Sequence, residues 1–267
     1  FPFVFWNEYT GETNTDGYGG RPFFTYDGLG WDYGSFEDPV EVDLTWSPDK
    51  DHWVGSPSYS TDGDIEYFNV VYNDWTRNNP YLFHSEAYED GLIIFGQESV
   101  IIDEQSDLVP GDATGSYNTS PTLSMNDDGI GMMGIVGFFA TDANGVNCDP
   151  SLEAPGDCFH TPIFKMTYDH GANWSDYYSV TNDVWQDVIT NFDDYYDPCA
   201  DTSQAMTDAC SFYDFDAKVD AAGNPHFVVS VLPGDEYGYS YYSNGDGSDN
   251  GSGFYHFTID RNYLDNP

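Results

Sequence analysis

The stretch SPTLSMNDDGIGMMGIVGFF, residues 120–139, decides the fold class, because a short strand-like segment runs into a polar turn and then into a longer apolar segment. The turn closes on Gly129, which is the pattern of a β-hairpin. Residues 56–72 and 215–231 repeat the same order of strand, Gly-containing turn and aromatic or aliphatic strand. Helical periodicity is hard to find among the short, β-branched and aromatic apolar segments. The sequence therefore predicts an all-β fold.

A third strand-like segment follows each hairpin and ends in a hydroxyl residue, usually with Asp two positions later. The four copies are Thr25-Tyr26-Asp27, Ser85-Glu86-Ala87, Thr167-Tyr168-Asp169 and Thr258-Ile259-Asp260. Their spacing indicates a unit of about 60 residues with insertions of variable length. We divide the chain into approximate repeats at 1–50, 51–110, 111–195 and 196–267. Because each unit must bury a face against the next, the four repeats are expected to form one domain, 1–267.

One of these turns is complete enough to suggest a family. Thr167-Tyr168-Asp169-His170-Gly171-Ala172-Asn173-Trp174 matches the Asp-box pattern of Ser or Thr, any, Asp, any, Gly, any, any, Trp, and so resembles the bacterial neuraminidase repeat. The copy at residues 25–31 is one residue shorter. The resemblance implies a sialidase-like β-propeller of four-stranded blades, in which Thr167, Asp169, Gly171 and Trp174 form a structural turn away from the active centre.

Four blades are recognisable, whereas sialidase-like propellers usually have six or seven. The first repeat lacks an obvious opening hairpin, and the chain continues only seven residues beyond Asp260. We therefore expect the chain to be part of a larger ring, or to be accompanied by further domains of the same polypeptide.

The charge balance is strongly acidic, with 47 Asp and Glu against 6 Lys and Arg and a formal net charge of -41. Such a chain repels phosphate backbones and anionic bilayers, so nucleic acid and acidic membranes are not expected as partners. No apolar run approaches the length of about 20 residues that a membrane-spanning helix needs.

The four cysteines form two local pairs, Cys148 with Cys158 and Cys199 with Cys210, each enclosing a polar loop. Neither pair has the spacing of a zinc ribbon, and no His lies at ligand spacing, so two disulfides are favoured over a thiolate metal site. Disulfides predict a secreted or cell-surface protein.

Asp dominates the acidic residues, with 36 Asp against 11 Glu. Asp ligates hard cations and also stabilises turns. The excess of Asp is therefore compatible with two interpretations, specific calcium sites or a surface adapted to saline water. The candidate calcium ligands are Asp142, Asn144, Asn147 and Asp149. A second Asp- and Asn-rich segment covers residues 244–251.

No catalytic residue is assigned. The three arginines, Arg21, Arg77 and Arg261, do not stand in the motif that introduces the sialidase arginine triad, so sialidase activity is disfavoured. The carboxylates Glu66, Glu98 and Asp216 lie in or beside predicted strands, where outward-facing residues are the simpler interpretation. His84 and His256 precede equivalent hydroxyl residues, and this equivalence favours a packing role.

The 22 Tyr and 7 Trp include clusters in predicted loops, at residues 193–196 and 237–242. Exposed rings beside carboxylates bind neutral sugars or a partner surface, but they also hold loops together. The favoured function is a binding or adhesion module for a glycan or protein ligand at the cell surface. A glycoside hydrolase using paired carboxylates and a structural surface-layer or filament component are the alternatives.

Overall fold

The computed structural model describes residues 2–12, 18–30, 34–110, 118–150, 152–153, 156, 158–192, 195–197, 202–235, 238–239 and 251–264. Within these residues the chain is all-β, as predicted, and its strands form antiparallel sheets. Four of the sheets contain three or four strands. The strands of each come from a different one of the four sequence repeats.

Strands adjacent in the sequence pair with one another, except that in the last sheet both of the final two strands pair with the same strand. Sheet 1 contains β1 (Phe3–Tyr9), β2 (Gly20–Tyr26) and β3 (Val40–Glu41), and sheet 2 contains β4 (His52–Asp62), β5 (Ile65–Asp74), β6 (Asn79–Glu89) and β7 (Leu92–Phe95). Sheet 3 contains β8 (Thr122–Met125), β9 (Gly131–Gly137), β10 (Thr161–Thr167) and β11 (Tyr178–Ser179). After a short hairpin of β12 (Tyr195–Asp197) and β13 (Thr202–Gln204), sheet 4 contains β14 (Asp208–Val219), β15 (Pro225–Asp235), β16 (Gly238–Tyr239) and β17 (Gly253–Thr258).

The sheets are layered face to face, with an apolar core between each neighbouring pair. On β5, Val70 and Tyr72 pack towards sheet 1 with Phe24, while Val71 between them packs towards sheet 3 with Leu123. Successive residues of a strand point to opposite faces, so a strand buried on both sides reads as a continuous apolar run. This explains the apolar run Val70-Val71-Tyr72 in the sequence.

The first strands of sheets 2, 3 and 4 lie side by side. The hydroxyl of Ser56 on β4 accepts a hydrogen bond from the backbone N–H of Leu123 at 2.6 Å and donates to its carbonyl at 3.0 Å. The hydroxyl of Ser124, the next residue on β8, accepts from the N–H of Val219 on β14 at 3.0 Å. Serine hydroxyl groups therefore connect sheet 2 to sheet 3 and sheet 3 to sheet 4 through their first strands.

The turn after β10 has the hydrogen bonds that its sequence suggests. Oδ1 of Asp169 accepts from the backbone N–H of Asn173 at 2.8 Å and from the Thr167 hydroxyl at 3.0 Å. Gly171 has a φ of +97°, and its carbonyl accepts from Trp174 Nε1 at 3.0 Å. Trp174 packs on the core between sheets 2 and 3. The turn thus anchors the end of a strand to the neighbouring sheet.

The shorter copy of this turn, in sheet 1, uses fewer contacts. Oδ1 of Asp27 accepts from the N–H of Leu29 at 2.9 Å, and Gly30 has a φ of +67°. Trp31 lies outside the described residues.

Besides a short 3-10 helix at Arg261–Tyr263, one helix of the described residues, α1 (Asn182–Ile189), departs from the all-strand expectation. Its Trp185 is fully buried, stacks on Phe159, and donates from Nε1 to the Thr161 hydroxyl at 3.0 Å. Trp185 and the buried Val188 therefore hold two turns of helix on the core that sheets 3 and 4 share. No helix in the described parts of the chain is long and apolar enough to span a membrane.

The predicted disulfide between Cys148 and Cys158 is present. Cys148 is buried in a small apolar cluster with Val109 and Phe138. The disulfide therefore joins the loop between Cys148 and Cys158 to this cluster. Cys199 lies outside the described residues, and its pairing with Cys210 remains a prediction.

Candidate functional site

Ionisable side chains gather where one end of sheet 1 meets sheet 2. Asp43 follows β3, and its Oδ1 accepts hydrogen bonds from both the backbone N–H and the hydroxyl of Thr45. These two bonds close a tight turn that leads to Lys50. In the turn between β5 and β6, Oδ1 of Asp74 accepts from the N–H groups of Thr76 and Arg77. Local Asp turns thus place the two basic residues of the site.

The charge cluster consists of Asp43, Lys50, His52, Asp74, Arg77 and Glu98. Lys50 Nζ lies 2.7 Å from Asp43 Oδ2 and 3.0 Å from Glu98 Oε2. Arg77 contacts both oxygens of Glu98, at 2.7 and 3.0 Å, and its Nε lies 2.6 Å from Asp74 Oδ2. These are charge-assisted hydrogen bonds, and the fork of Arg77 fixes the orientation of Glu98.

The two carboxyl groups facing Lys50 are both held ionised. Burial raises the pKa of Asp43, but hydrogen bonds from His52, Lys50 and Thr45 outweigh it and hold that pKa well below its ordinary value. Burial likewise raises the pKa of Glu98, and the bonds from Arg77 and Lys50 overcome it, so that pKa is also lowered. Neither group holds a proton at neutral pH, so neither can act as a general acid there.

Asp43, His52 and Glu98 place one ligand atom each within 4.8 Å of one another, which is close enough for a shared metal ion. However, the Lys50 ammonium already contacts both carboxylates at hydrogen-bonding distance. The positive charge that a cation would provide is therefore supplied by the protein itself. The cluster is better described as an ion-pair network that joins sheets 1 and 2.

A groove of about 470 Å³ lies at the other end of the interface between sheets 1 and 2. It is formed by four strands, and its lining consists mainly of aromatic side chains with one carboxylate: Phe3, Phe5, Pro57, Ser58, Tyr59, Glu66, Phe68 and Tyr88. A pocket of this volume with an apolar wall and few polar groups is typical of a small-ligand site.

The polar edge of the groove is a Tyr–Glu pair. Tyr59 donates from its hydroxyl to Glu66 Oε1 at 2.8 Å, and burial together with this bond raises the pKa of Tyr59 to about 12. Tyr59 is 44% exposed, and its ring lies 5.1 Å from that of the buried Phe68. Phe68 in turn lies 5.0 Å from Phe3 and from Tyr88. The rings therefore form a continuous surface beside an ordered carboxylate.

The structure separates the strand-borne carboxylates singled out in the sequence. Glu66 lines the groove, Glu98 belongs to the charge cluster, and Asp216 is exposed on β14. Glu98 is thus not the simple outward-facing residue that the sequence favoured. Its Arg77 and Lys50 partners come from two turns that are distant in sequence, so the pattern around Glu98 could not show them.

The arginines engage separate partners. Arg21 pairs with Glu41, and Arg77 pairs with Asp74 and Glu98 and lies over the Tyr81 ring at 3.8 Å. Arg261 donates to the carbonyl of Ala222. That sialidase activity is disfavoured stays a prediction.

The proposed calcium residues lie in one loop, where they shape the backbone. Oδ1 of Asp142 accepts from the N–H groups of Asn144 and Val146, and Oδ1 of Asn147 accepts from the N–H of Asp149. Asp142 and Asn144 also line a cavity of about 330 Å³. Calcium binding by this loop stays a prediction. Residues 244–250 lie outside the described chain.

Sequence reasoning missed the charge cluster, although a signal was present. Only six residues are Lys or Arg, and two of them, Lys50 and Arg77, lie near Asp residues just before and just after the same predicted hairpin. In a chain of net charge -41, a rare basic residue has an abundance of carboxylates to pair with. Its position therefore marks a place where carboxylates can be buried.

Neither a protein-family model nor a curated protein matches this chain.

Proposed function

We propose that the chain is a β-propeller module that binds glycans outside the cytosol, with the aromatic groove between sheets 1 and 2 as its binding site. The single observation that carries the binding function is the row of rings of Phe3, Phe68, Tyr59 and Tyr88 beside the Glu66 carboxylate. Sugar rings present apolar C–H faces that stack on aromatic side chains, and their hydroxyl groups donate to carboxylates.

The propeller architecture is supported by the order of the sheets. Each sheet is built from strands that are consecutive in sequence, each packs on the next, and the first strands β4, β8 and β14 lie side by side. Radially repeated antiparallel sheets have this connectivity. The resemblance of residues 167–174 to the Asp box points the same way. A ring of six or seven blades remains the expectation from that resemblance.

Charge favours a particular class of glycan. Because the chain carries a net charge of -41 and Glu66 stands at the edge of the groove, neutral and amino-bearing sugars are the expected ligands, and sialylated or sulfated sugars are not. The Cys148–Cys158 disulfide supports location in an oxidising compartment, where such glycans are displayed.

The test is a glycan array followed by calorimetric titration of the best ligand. Tyr59→Ala removes an exposed ring and should weaken binding about tenfold. Tyr59→Phe keeps the ring and removes only the bond to Glu66. Tyr263→Ala, which changes an exposed ring outside the groove, is the control and should bind as the unmodified chain does.

Two results would oppose the proposal. Binding that is unaffected by Tyr59→Ala would remove the groove from the function, and a preference for acidic glycans would contradict the charge argument. Release of reducing ends during the titration would favour the glycoside hydrolase instead.

A further inference from the structure

A pair of histidines lies on the outer face of sheet 4, outside the groove and the charge cluster. His226 on β15 stands opposite Thr258 on β17, and His256 lies two residues before Thr258 on the same face. His256 and Thr258 are exposed, and His226 is half-buried. His256 therefore does not pack in an apolar core, and its ring stacks on that of His226 at 5.3 Å.

Two ring nitrogens converge at this position. His226 Nδ1 lies 3.1 Å from His256 Nε2, and Thr258 Oγ1 lies 3.1 Å from the first nitrogen and 3.5 Å from the second. Two imidazole nitrogens bound to one tetrahedral zinc, each about 2.1 Å from the ion, are roughly 3.4 Å apart. The separation of the two nitrogens is thus close to that of a pair of metal ligands.

Asp220 orients one of the rings. Its Oδ2 lies 3.2 Å from His226 Nε2 on the side of the ring away from His256. A carboxylate only accepts hydrogen bonds, so Nε2 carries the proton and, in the neutral ring, Nδ1 presents its lone pair. A carboxylate that orients a metal-binding histidine in this way is a common outer-shell feature of metal sites.

Asp220 is itself held in place. It accepts from the N–H groups of Ala222 and Asn224 and from the Asn224 side-chain amide. The tautomer of His226 is therefore set by a turn whose geometry does not depend on a ligand.

We propose that His226 Nδ1 and His256 Nε2 bind a divalent transition-metal ion such as Zn²⁺ or Cu²⁺, with Thr258 Oγ1 beside the ion and Asp220 orienting His226. Two imidazoles select such ions over Ca²⁺, which prefers oxygen ligands. The remaining coordination positions face solvent, so water or a group from a partner molecule completes the site. Lys218 stands beside His226 on β14, but it is exposed and its ammonium can remain in water.

Calorimetric titration of the intact, oxidised chain with ZnCl₂ tests the proposal. A constant excess of CaCl₂ occupies surface carboxylates, so that the histidine site is measured alone. One equivalent of Zn²⁺ should bind. His256→Gln and His226→Gln should each abolish this binding, and Asp220→Asn should weaken it by 10- to 100-fold. Asp216→Asn, which removes an exposed carboxylate on a neighbouring strand, should leave it unchanged.

A spectroscopic measurement identifies the ligands independently. The Cu²⁺ complex should show hyperfine coupling to two imidazole nitrogens in electron paramagnetic resonance, and His256→Gln should remove one. Circular dichroism of the His226, His256 and Asp220 variants checks that each remains folded. Zn²⁺ binding that survives in the double variant of His226 and His256, or that calcium abolishes, would overturn the proposal.

Discussion

Lys50 Nζ lies 2.7 Å from Asp43 Oδ2, and both side chains are almost completely enclosed between sheets 1 and 2. Their attraction is not screened by water as it would be at the surface, and Glu98 also contacts the same ammonium. The pair therefore contributes to joining two sheets that come from different repeats of the sequence.

Replacing Asp43 by Asn should destabilise the fold, because it deprives buried Lys50 of one of its two carboxylates. We expect the free energy of unfolding in urea at pH 7 to fall by about 3–5 kcal/mol. Glu41→Gln is the control: Glu41 pairs with Arg21, and each side chain is about a third exposed, so the loss should stay below about 1 kcal/mol. Similar losses for both variants would mean that burial does not distinguish the two pairs.

Glu104 should make stability fall as the pH rises. Burial, only partly offset by a bond from Asn118, raises the pKa of this carboxyl from 4.5 to about 7. Between these values the folded state holds a proton that the unfolded state has lost. Stability therefore decreases from pH 4.5 to pH 7, and the decrease amounts to roughly 3 kcal/mol by pH 8.

Glu104→Gln removes that ionisation. The variant should exceed the unmodified chain in stability at pH 8 by roughly 3 kcal/mol and match it at pH 4, as measured by urea unfolding at both pH values. Glu153→Gln, at an exposed position, should change neither value. A stability difference for Glu104→Gln that does not vary with pH would refute the assignment.

Two glycines with positive φ at equivalent turns provide a matched comparison. A Cβ on Gly171 would lie 2.5 Å from Asn69 Oδ1, whereas one on Gly30 would have nothing within 4 Å. Asn69 is fully buried and bonds to His84 Nδ1 and to the His170 carbonyl, so it cannot move without cost.

Gly30→Ala should therefore cost only the strain of a left-handed residue, about 1 kcal/mol. Gly171→Ala adds displacement of the Asn69 amide and should cost about 3 kcal/mol. Thermal unfolding of the two variants measures the difference. Equal losses would show that the Gly171 turn can shift away from sheet 2.

Removing the Cys148–Cys158 bridge should destabilise the chain by about 2–3 kcal/mol, because the bridge closes a loop across a separation of 10 residues. The double Cys→Ser variant tests this by urea unfolding, and peptide mapping without reductant tests the pairing. Recovery of Cys148 with a free thiol would contradict the structure.

Calcium should raise the melting temperature if the loop from Asp142 to Asp149 binds it, because a ligand that binds only the folded state stabilises it. Chelation at constant ionic strength should lower the melting temperature, and Asp142→Asn should remove this response. Asp128→Asn, at an exposed position outside the loop, should retain it. No response to chelation in the unmodified chain leaves saline adaptation as the explanation for its acidity.

Local patterns in the sequence predicted much of the secondary structure. The hairpin within residues 120–139 forms as expected: β8 ends at Met125, Gly129 takes a φ of +76°, and β9 begins at Gly131. The hydroxyl and Asp of the Thr167–Asp169 turn also bond as the spacing suggested. These features depend on residues a few positions apart, so composition and periodicity are enough to find them.

The charge cluster and the histidine pair could not be predicted in this way, because their residues are far apart in the sequence. Asp43 and Glu98 are 55 residues apart in the numbering and meet only because β4 to β7 fold back beside sheet 1. His226 and His256 lie 30 residues apart and converge through the register of β15 with β17. In a chain with 47 carboxylates, no pattern indicates which of them will share a cation.

The sequence by itself determined the all-β class, the repeat of hairpin and third strand, the local disulfide and the acidic surface, because each arises from nearby residues or from totals. Only the tertiary structure decided which charges are buried together, which rings line a groove and which histidines meet. Those outcomes depend on sheet packing and strand register, and a shift of one residue in register would turn His226 or His256 to the opposite face of sheet 4.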